Sequence, residues 1–226
     1  MKNIGKSGGA QRGGTPPAAS RAARSRVLRI IGGTWRGRRL RFPPADEIRP
    51  TPDRVRETLF NWLGSRVPGS RCLDLFAGSG ALGLEALSRG AAQVTFVERE
   101  AVAVRELRAR LTEWGAVGGV VEHSDALRFL ESTAQPGKMG QPGEMGQPGE
   151  MGQPFDIAFL DPPFTSGLLP PVCRLLENGH WLSAEALIYV ETDAQAGLPP
   201  LPPNWQVTRT KQAGAVGYHL VTRTGE

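Results

Sequence analysis

Two rhythms of apolar residues alternate through most of the chain. Short apolar runs with the character of strands (Arg71 to Phe76, Gln93 to Val97, Val117 to Glu122, Phe155 to Leu160 and Leu187 to Val190) are separated by helical stretches. Those stretches are Ala81 to Arg89, stopped by Gly90, then Glu100 to Trp114, Asp125 to about Thr133, and a helix after Pro171. Strict alternation of this kind implies right-handed crossovers and a mainly parallel sheet with helices on both faces. Trp205 to Arg209 and Val216 to Thr222 break the rule, since no helix lies between them. They predict an antiparallel hairpin closing the sheet.

Upstream, Val27 to Ile31 and Arg39 to Phe42 flank the segment Gly32 to Gly37, the pattern of a hairpin with a glycine-rich connection. After Pro50 and Pro52, Asp53 is expected to cap a helix whose apolar positions Val55, Leu59, Trp62 and Leu63 share one face. This leaves Arg54 and Arg56 to face elsewhere. Two segments stand outside the rhythm. Residues 1–25 are polar, basic and aperiodic, and read as a disordered arm. Residues 136–154 carry three near-copies of a hexapeptide, PGKMGQ, PGEMGQ and PGEMGQ, and read as a low-complexity surface loop. What remains, 26–226, is read as one domain in which 26–64 form the N-terminal hairpin and helix.

Composition narrows the class. A chain of 226 residues has room for one core, and no apolar run approaches the roughly 18 residues of a membrane span. Cys72 and Cys173 form no close pair, and His123, His180 and His219 have no metal-ligand spacing, so no metal is expected. Between Ile4 and Val27 there is no large apolar residue, which argues against a signal peptide and for the cytoplasm. Residues 1–58 hold 14 Lys+Arg against 4 Asp+Glu, while the rest of the chain is net acidic. Basic charge gathered at one end suits a polyanionic partner such as nucleic acid.

The chemistry gathers after the strands. Asp74-Leu75-Phe76-Ala77-Gly78-Ser79-Gly80 sets a strand end, a glycine turn and a helix start in sequence, so that backbone can approach a ligand. The same stretch formally contains G-x-G-x-x-G, and a nicotinamide-dependent oxidoreductase with Glu98 on a ribose is one reading of it. Asp74 favours another, because a carboxylate there crowds a pyrophosphate but suits the ammonium of S-adenosylmethionine. Glu98 serves a ribose in either case. Asp125 is placed to accept from an adenine amino group or to cap the helix it precedes. Asp161-Pro162-Pro163-Phe164 presents a carboxylate, a carbonyl and an aromatic face on a rigid turn, which suits an exocyclic amino group on a planar base.

DLFAGSGALGLEALSRGA (from Asp74), FVERE (from Phe96), FLDPPF (from Phe159), IYVETD (from Ile188), IRPTPDRVRETLFNWL (from Ile48) and GGTWRGRRL (from Gly32) together resemble the bacterial 16S ribosomal RNA guanine-N2 methyltransferases of the RsmD type. The resemblance runs from about Val27 to Thr222; the hexapeptides and the long basic arm are not features of that family. It implies a class I S-adenosylmethionine-dependent methyltransferase fold, Rossmann-like, and a monomer acting on the guanine amino group at the nucleotide conventionally numbered 966, in 16S rRNA, the small subunit or an assembly intermediate. Carried over by position, it assigns Asp74, Gly78 and Gly80 to the methionine end of the cofactor, Glu98 to its ribose and Asp125 to its adenine. Phe76, Ala77, Ser79, Arg99 and Ala126 are assigned to the cofactor site with them. Asp161, Pro162, Pro163 and Phe164 become the target-base site. Arg36, Arg38, Arg39, Arg41, Arg49, Arg54 and Arg56 are candidates for flanking phosphates. An adenine-N6 methyltransferase, which shares an acid-Pro-Pro-aromatic turn, and a non-catalytic RNA-binding protein are the further alternatives.

Overall fold

The computed structural model of the chain describes residues 26–42, 51–133 and 153–225. The basic arm, Arg49 and the hexapeptides up to residue 152 lie outside the described residues. A two-stranded antiparallel ribbon, β1 (Arg26–Arg29) and β2 (Arg39–Phe42), precedes α1 (Asp53–Leu63). There follow β3 (Arg71–Asp74), α2 (Ala81–Ser88), β4 (Gln93–Glu98), α3 (Ala101–Trp114), β5 (Gly119–His123) and α4 (Ala126–Thr133). After the undescribed segment come β6 (Phe155–Leu160), α5 (Leu169–Asn178), β7 (Leu182–Asp193), β8 (Trp205–Ala213) and β9 (Val216–Arg223).

The seven strands from β3 onward form one sheet in the order β5-β4-β3-β6-β7-β9-β8. Every neighbouring pair from β5 to β7 is parallel, and β9 joins β7 and β8 antiparallel, as the missing crossover helix requires. Period-two burial explains the layers. Cys72, Val94, Phe96, Ile157, Phe159, Leu187 and Tyr189 point to one side, where α1, α2 and α3 lie. Leu73, Val97, Ala158, Leu160, Ile188 and Val190 point to the other, under α4 and α5. Because β3 is followed by β4 on one side and flanked by β6 on the other, the topological switch point lies between β3 and β6. Their carboxyl ends are therefore where a doubly wound sheet opens a crevice.

Several boundaries differ from the sequence expectation. β7 runs twelve residues and not four, because its first part, Ser183–Glu185, is polar and escapes an apolar count. β8 extends to Ala213 as an edge strand exposed along most of its length, so no alternation marks it. α5 starts at Leu169 and takes Pro170 and Pro171 into its first turn, where a missing N–H costs nothing. Asp53 is the first residue of α1 and not its cap; the preceding residue is Pro52, and the Asp53 carboxylate instead meets Arg56 at 2.7 Å.

The N-terminal ribbon is fastened to the sheet domain through α2. Glu85, fully buried, accepts the Ile31 N–H and the Gly32 N–H, both at 2.8 Å, and the Nε–H of Arg89 at 2.7 Å. Ser88 accepts the Trp35 N–H at 2.9 Å and donates to the Gly32 carbonyl at 2.6 Å. Gly33 has φ of 75° and lies so close that a Cβ would sit 1.7 Å from the Ser88 carbonyl oxygen, so the connection needs glycine there.

Candidate active site

Five carboxylates stand at the ends of five successive parallel strands. In sheet order they are Asp125 after β5, Glu98 ending β4, Asp74 ending β3, Asp161 after β6 and Glu191 where the ladder of β6 with β7 runs out. Asp74, Asp161 and Glu191 have the strand parity of Cys72, Phe159 and Tyr189, so they share the face covered by α1 and α2.

The glycine turn is held by these acids. Asp74 Oδ2 accepts the Gly83 N–H at 3.0 Å, and Glu98 accepts the Gly78 N–H at 2.6 Å and the Glu100 N–H at 2.7 Å. Gly80 caps α2 with φ of 73°, and a Cβ there would lie 2.3 Å from Leu107, so both conformation and space demand glycine. Phe76, Gly78 and Ser79 are half-buried, and Ala77 is buried with its N–H on the Val97 carbonyl at 3.0 Å. With the Gly78 amide occupied by a carboxylate and Asp74 buried beside it, the turn is built to repel a pyrophosphate. This counts against the dinucleotide reading.

Burial pushes the Asp74 carboxyl up to about 7, with the charge of Glu98 adding to it and the Gly83 N–H opposing. A cationic group beside Asp74 would relieve that cost, and the ammonium of S-adenosylmethionine is such a group, so the residues present fit that cofactor. Asp125 Oδ1 accepts the N–H groups of Leu127 and Arg128, at 2.9 and 3.4 Å, so it does cap α4. Its second oxygen takes no part in those bonds. Ala126 is buried under it, and Arg99 is exposed, with its Nε 3.3 Å from Glu100.

Asp161 is half-buried, Pro162 buried, and Pro163 and Phe164 exposed at the opening of a short 3-10 turn, Phe164–Ser166. Phe164 leaves 42% of its surface to solvent, on the turn that follows Asp161. The Asp161 carboxyl is held well above the usual range, first by burial, then by the charges of Glu191 and Asp74; the Thr51 hydroxyl opposes the shift. Thr51, Tyr189 and Glu191 were not singled out from the sequence. The signal for Glu191 is the one that marks Asp74, Glu98 and Asp161, an acid directly after an apolar strand. Thr51, between two prolines, carries no such signal.

The arginines separate. Arg56 is fully buried, donates to the Arg29 carbonyl at 2.8 Å and to Asp53 at 2.7 Å, and lies 3.5 Å from Glu85, so it is no phosphate contact. Helical spacing left its direction open, and the ribbon across α1 buries it. Arg36 and Arg38 are exposed, but their loop is bonded to Ser88 at the far end of α2, across the sheet from the acids. Arg38 lies over the Trp114 ring at 5.3 Å. Arg39 is exposed at the start of β2, Arg41 lies in β2, and Arg54 is exposed in the first turn of α1, close to Thr51.

The family model described as Conserved hypothetical protein 95 matches residues 28–222. Among curated proteins, "Ribosomal RNA small subunit methyltransferase D" of Escherichia coli (strain K12) is 46% identical over 199 residues, covering 88% of this chain and 91% of the relative. Among solved structures, the Escherichia coli chain yhhF is 44% identical with a TM-score of 0.74, covering 88% of this chain and 99% of its own. A methyltransferase from Geobacter sulfurreducens, 16% identical, covers 77% of this chain and 80% of its own with a TM-score of 0.55, a likeness of fold alone. The strand order and terminal hairpin are those of a class I methyltransferase, as expected from the sequence.

Proposed function

We propose that this chain, which belongs to the Conserved hypothetical protein 95 family, is an S-adenosylmethionine-dependent methyltransferase acting on the N2 amino group of a guanine in 16S rRNA, the nucleotide numbered 966. The observation that carries the reading is the row of five strand-end acids with an exposed aromatic residue, Phe164, on the turn that follows one of them. Asp74 faces the ammonium of the cofactor, Glu98 the ribose and Asp125 the adenine amino group, the last two through lone pairs that the backbone bonds leave open. Bound there, the cofactor supplies an electrophilic sulfonium methyl.

The guanine N2 lone pair is delocalised into the ring and is a weak nucleophile until the nitrogen pyramidalises. Hydrogen bonds from the amino group to the Asp161 carboxylate and the Pro162 carbonyl favour that geometry, while Phe164 stacks on the extruded base. As positive charge grows on nitrogen, Asp161 stabilises it and takes the departing proton. Arg54 is assigned to a flanking phosphate, being exposed in the first turn of α1 shortly after Thr51, whose hydroxyl bonds Glu191; Arg36, Arg38 and Arg39 are left for RNA lying further from the target base.

The test is transfer of labelled methyl onto unmethylated 16S rRNA, free and in 30S particles, followed by mass spectrometry of the nucleosides. N2-methylguanosine is the expected product. N6-methyladenosine would replace this reading with the adenine one.

Cofactor affinity carries a pH signature. Asp74 must lose its proton to pair with an ammonium, and its carboxyl titrates at about 7 in the free protein. Calorimetric affinity therefore rises several-fold from pH ~6 to pH ~7.5, above which the ligand's own ammonium starts to lose its proton, and Asp74→Asn binds weakly throughout. The same shift gives the free protein the opposite trend: an acid raised by folding favours the folded state at low pH, and that contribution is lost as pH climbs through about 7. An affinity flat in pH would remove the ammonium from Asp74.

A further inference from the structure

Beside Asp161 lies a buried polar group formed by Thr51, Tyr189 and Glu191, at 5%, 0% and 3% exposure. The Thr51 hydroxyl and the Tyr189 hydroxyl both donate to one oxygen, Glu191 Oε1, at 3.0 and 2.7 Å. They come from separate elements, the residue before Pro52 and the strand position two before Glu191. The β6–β7 ladder ends with Leu160 opposite Val190, Asp161 and Glu191 are the next residue of each segment, and the charge of Glu191 acts on Asp161. Two neighbouring carboxylates, one buried and one half-buried, do not both ionise cheaply, and hydroxyl donors favour whichever is charged. The Tyr189 donor is spent on Glu191, while the Thr51 hydroxyl, bonded to Glu191, lies near enough to Asp161 to act on both.

Resting on the methyltransferase reading, we infer that Glu191 is a positioning residue for the transfer: the Tyr189 hydroxyl, which bonds Glu191 and not Asp161, fixes it as the charged member of the pair, and its charge makes Asp161 the acceptor of the proton that leaves the target nitrogen. In the step, the C–N bond forms as the C–S bond breaks, with its electron pair staying on sulfur. The N–H bond then breaks, its pair staying on nitrogen and its proton passing to an Asp161 oxygen. Burial and the neighbouring charges of Glu191 and Asp74 raise the Asp161 carboxyl, and burial raises Glu191 against the pull of its two hydroxyls. The other groups acting on the pair are Tyr189 itself and, through it, Tyr218 on β9.

The test is a carbon-13 NMR titration of the Asp and Glu carboxyls in the full-length free protein, paired with pH profiles of kcat/KM. In the wild type, Asp161 should be the upper-titrating member. In Glu191→Gln, which keeps the shape and both hydroxyl contacts, the Asp161 midpoint falls by about one pH unit or more, the acid limb of kcat/KM moves down with it, and plateau kcat drops about tenfold. In Tyr189→Phe, the upper step divides between the Asp161 and Glu191 carbons. An Asp161 midpoint unmoved in Glu191→Gln, or Glu191 as the upper member in the wild type, overturns the proposal. If Glu191→Gln does not fold, an undivided upper step in Tyr189→Phe overturns it. The titration needs no substrate, so a wrong product in the rRNA assay would fell the functional reading and leave this result standing by itself.

Discussion

Asp161→Ala lowers kcat for methyl transfer by about a thousandfold, while cofactor affinity stays within a few-fold of the wild type. The size follows from two losses at one atom. The carboxylate that polarises the amino group is gone, so the nitrogen stays planar, and the charge that develops on it has no counter-charge and no proton acceptor. Cofactor affinity is spared because the ammonium is assigned to Asp74, one strand away, and Glu98 is held by the amides of Gly78 and Glu100, neither of which depends on Asp161. Single-turnover transfer and calorimetry on the same preparation separate the two effects. A variant that loses affinity in step with turnover would move Asp161 into the cofactor pocket. Asp161→Asn is the sharper control, since an amide keeps one acceptor oxygen but neither the charge nor the basicity.

The layered sheet and the strand-end acids are readable from the sequence for one physical reason. A strand buried on both faces is a short apolar run, and the first acid after it marks the carboxyl edge where ligands bind. Asp74, Glu98, Asp125 and Asp161 all announce themselves this way. Glu191 carries the same mark, but β7 continues past it into an antiparallel ladder with β9, which hides the edge. Strand order, and so which acids become neighbours, depends on pairing between segments far apart in sequence and leaves no local trace. The arginines fail for a related reason. A basic residue on a helix reads as solvent-facing until another element covers it, and the ribbon that covers Arg56 contributes a backbone carbonyl and leaves no apolar signature.

Among the arginines considered for phosphate contacts, Arg56 is the one whose loss should cost the fold most. Its guanidinium is wholly buried between the Arg29 carbonyl, Asp53 and Glu85, while the other oxygen contacts of Glu85 are the amides of Ile31 and Gly32 and the Arg89 side chain. A single cluster thus ties the ribbon, α1 and α2 together. Arg56→Ala removes a buried cation and leaves the Arg29 carbonyl without its side-chain donor and Glu85 to the partly exposed Arg89, a change that costs about 3 kcal/mol of unfolding free energy. Arg36→Ala, at an exposed position, should stay within about 0.5 kcal/mol. Urea unfolding of the two variants decides the matter, and the salt dependence of RNA binding supplies a second axis. If Arg56 held a phosphate, its alanine variant would unfold like the wild type and flatten the slope of log affinity against log salt. A structural anchor gives the reverse: a large drop in stability, and an unchanged salt slope wherever the variant remains folded.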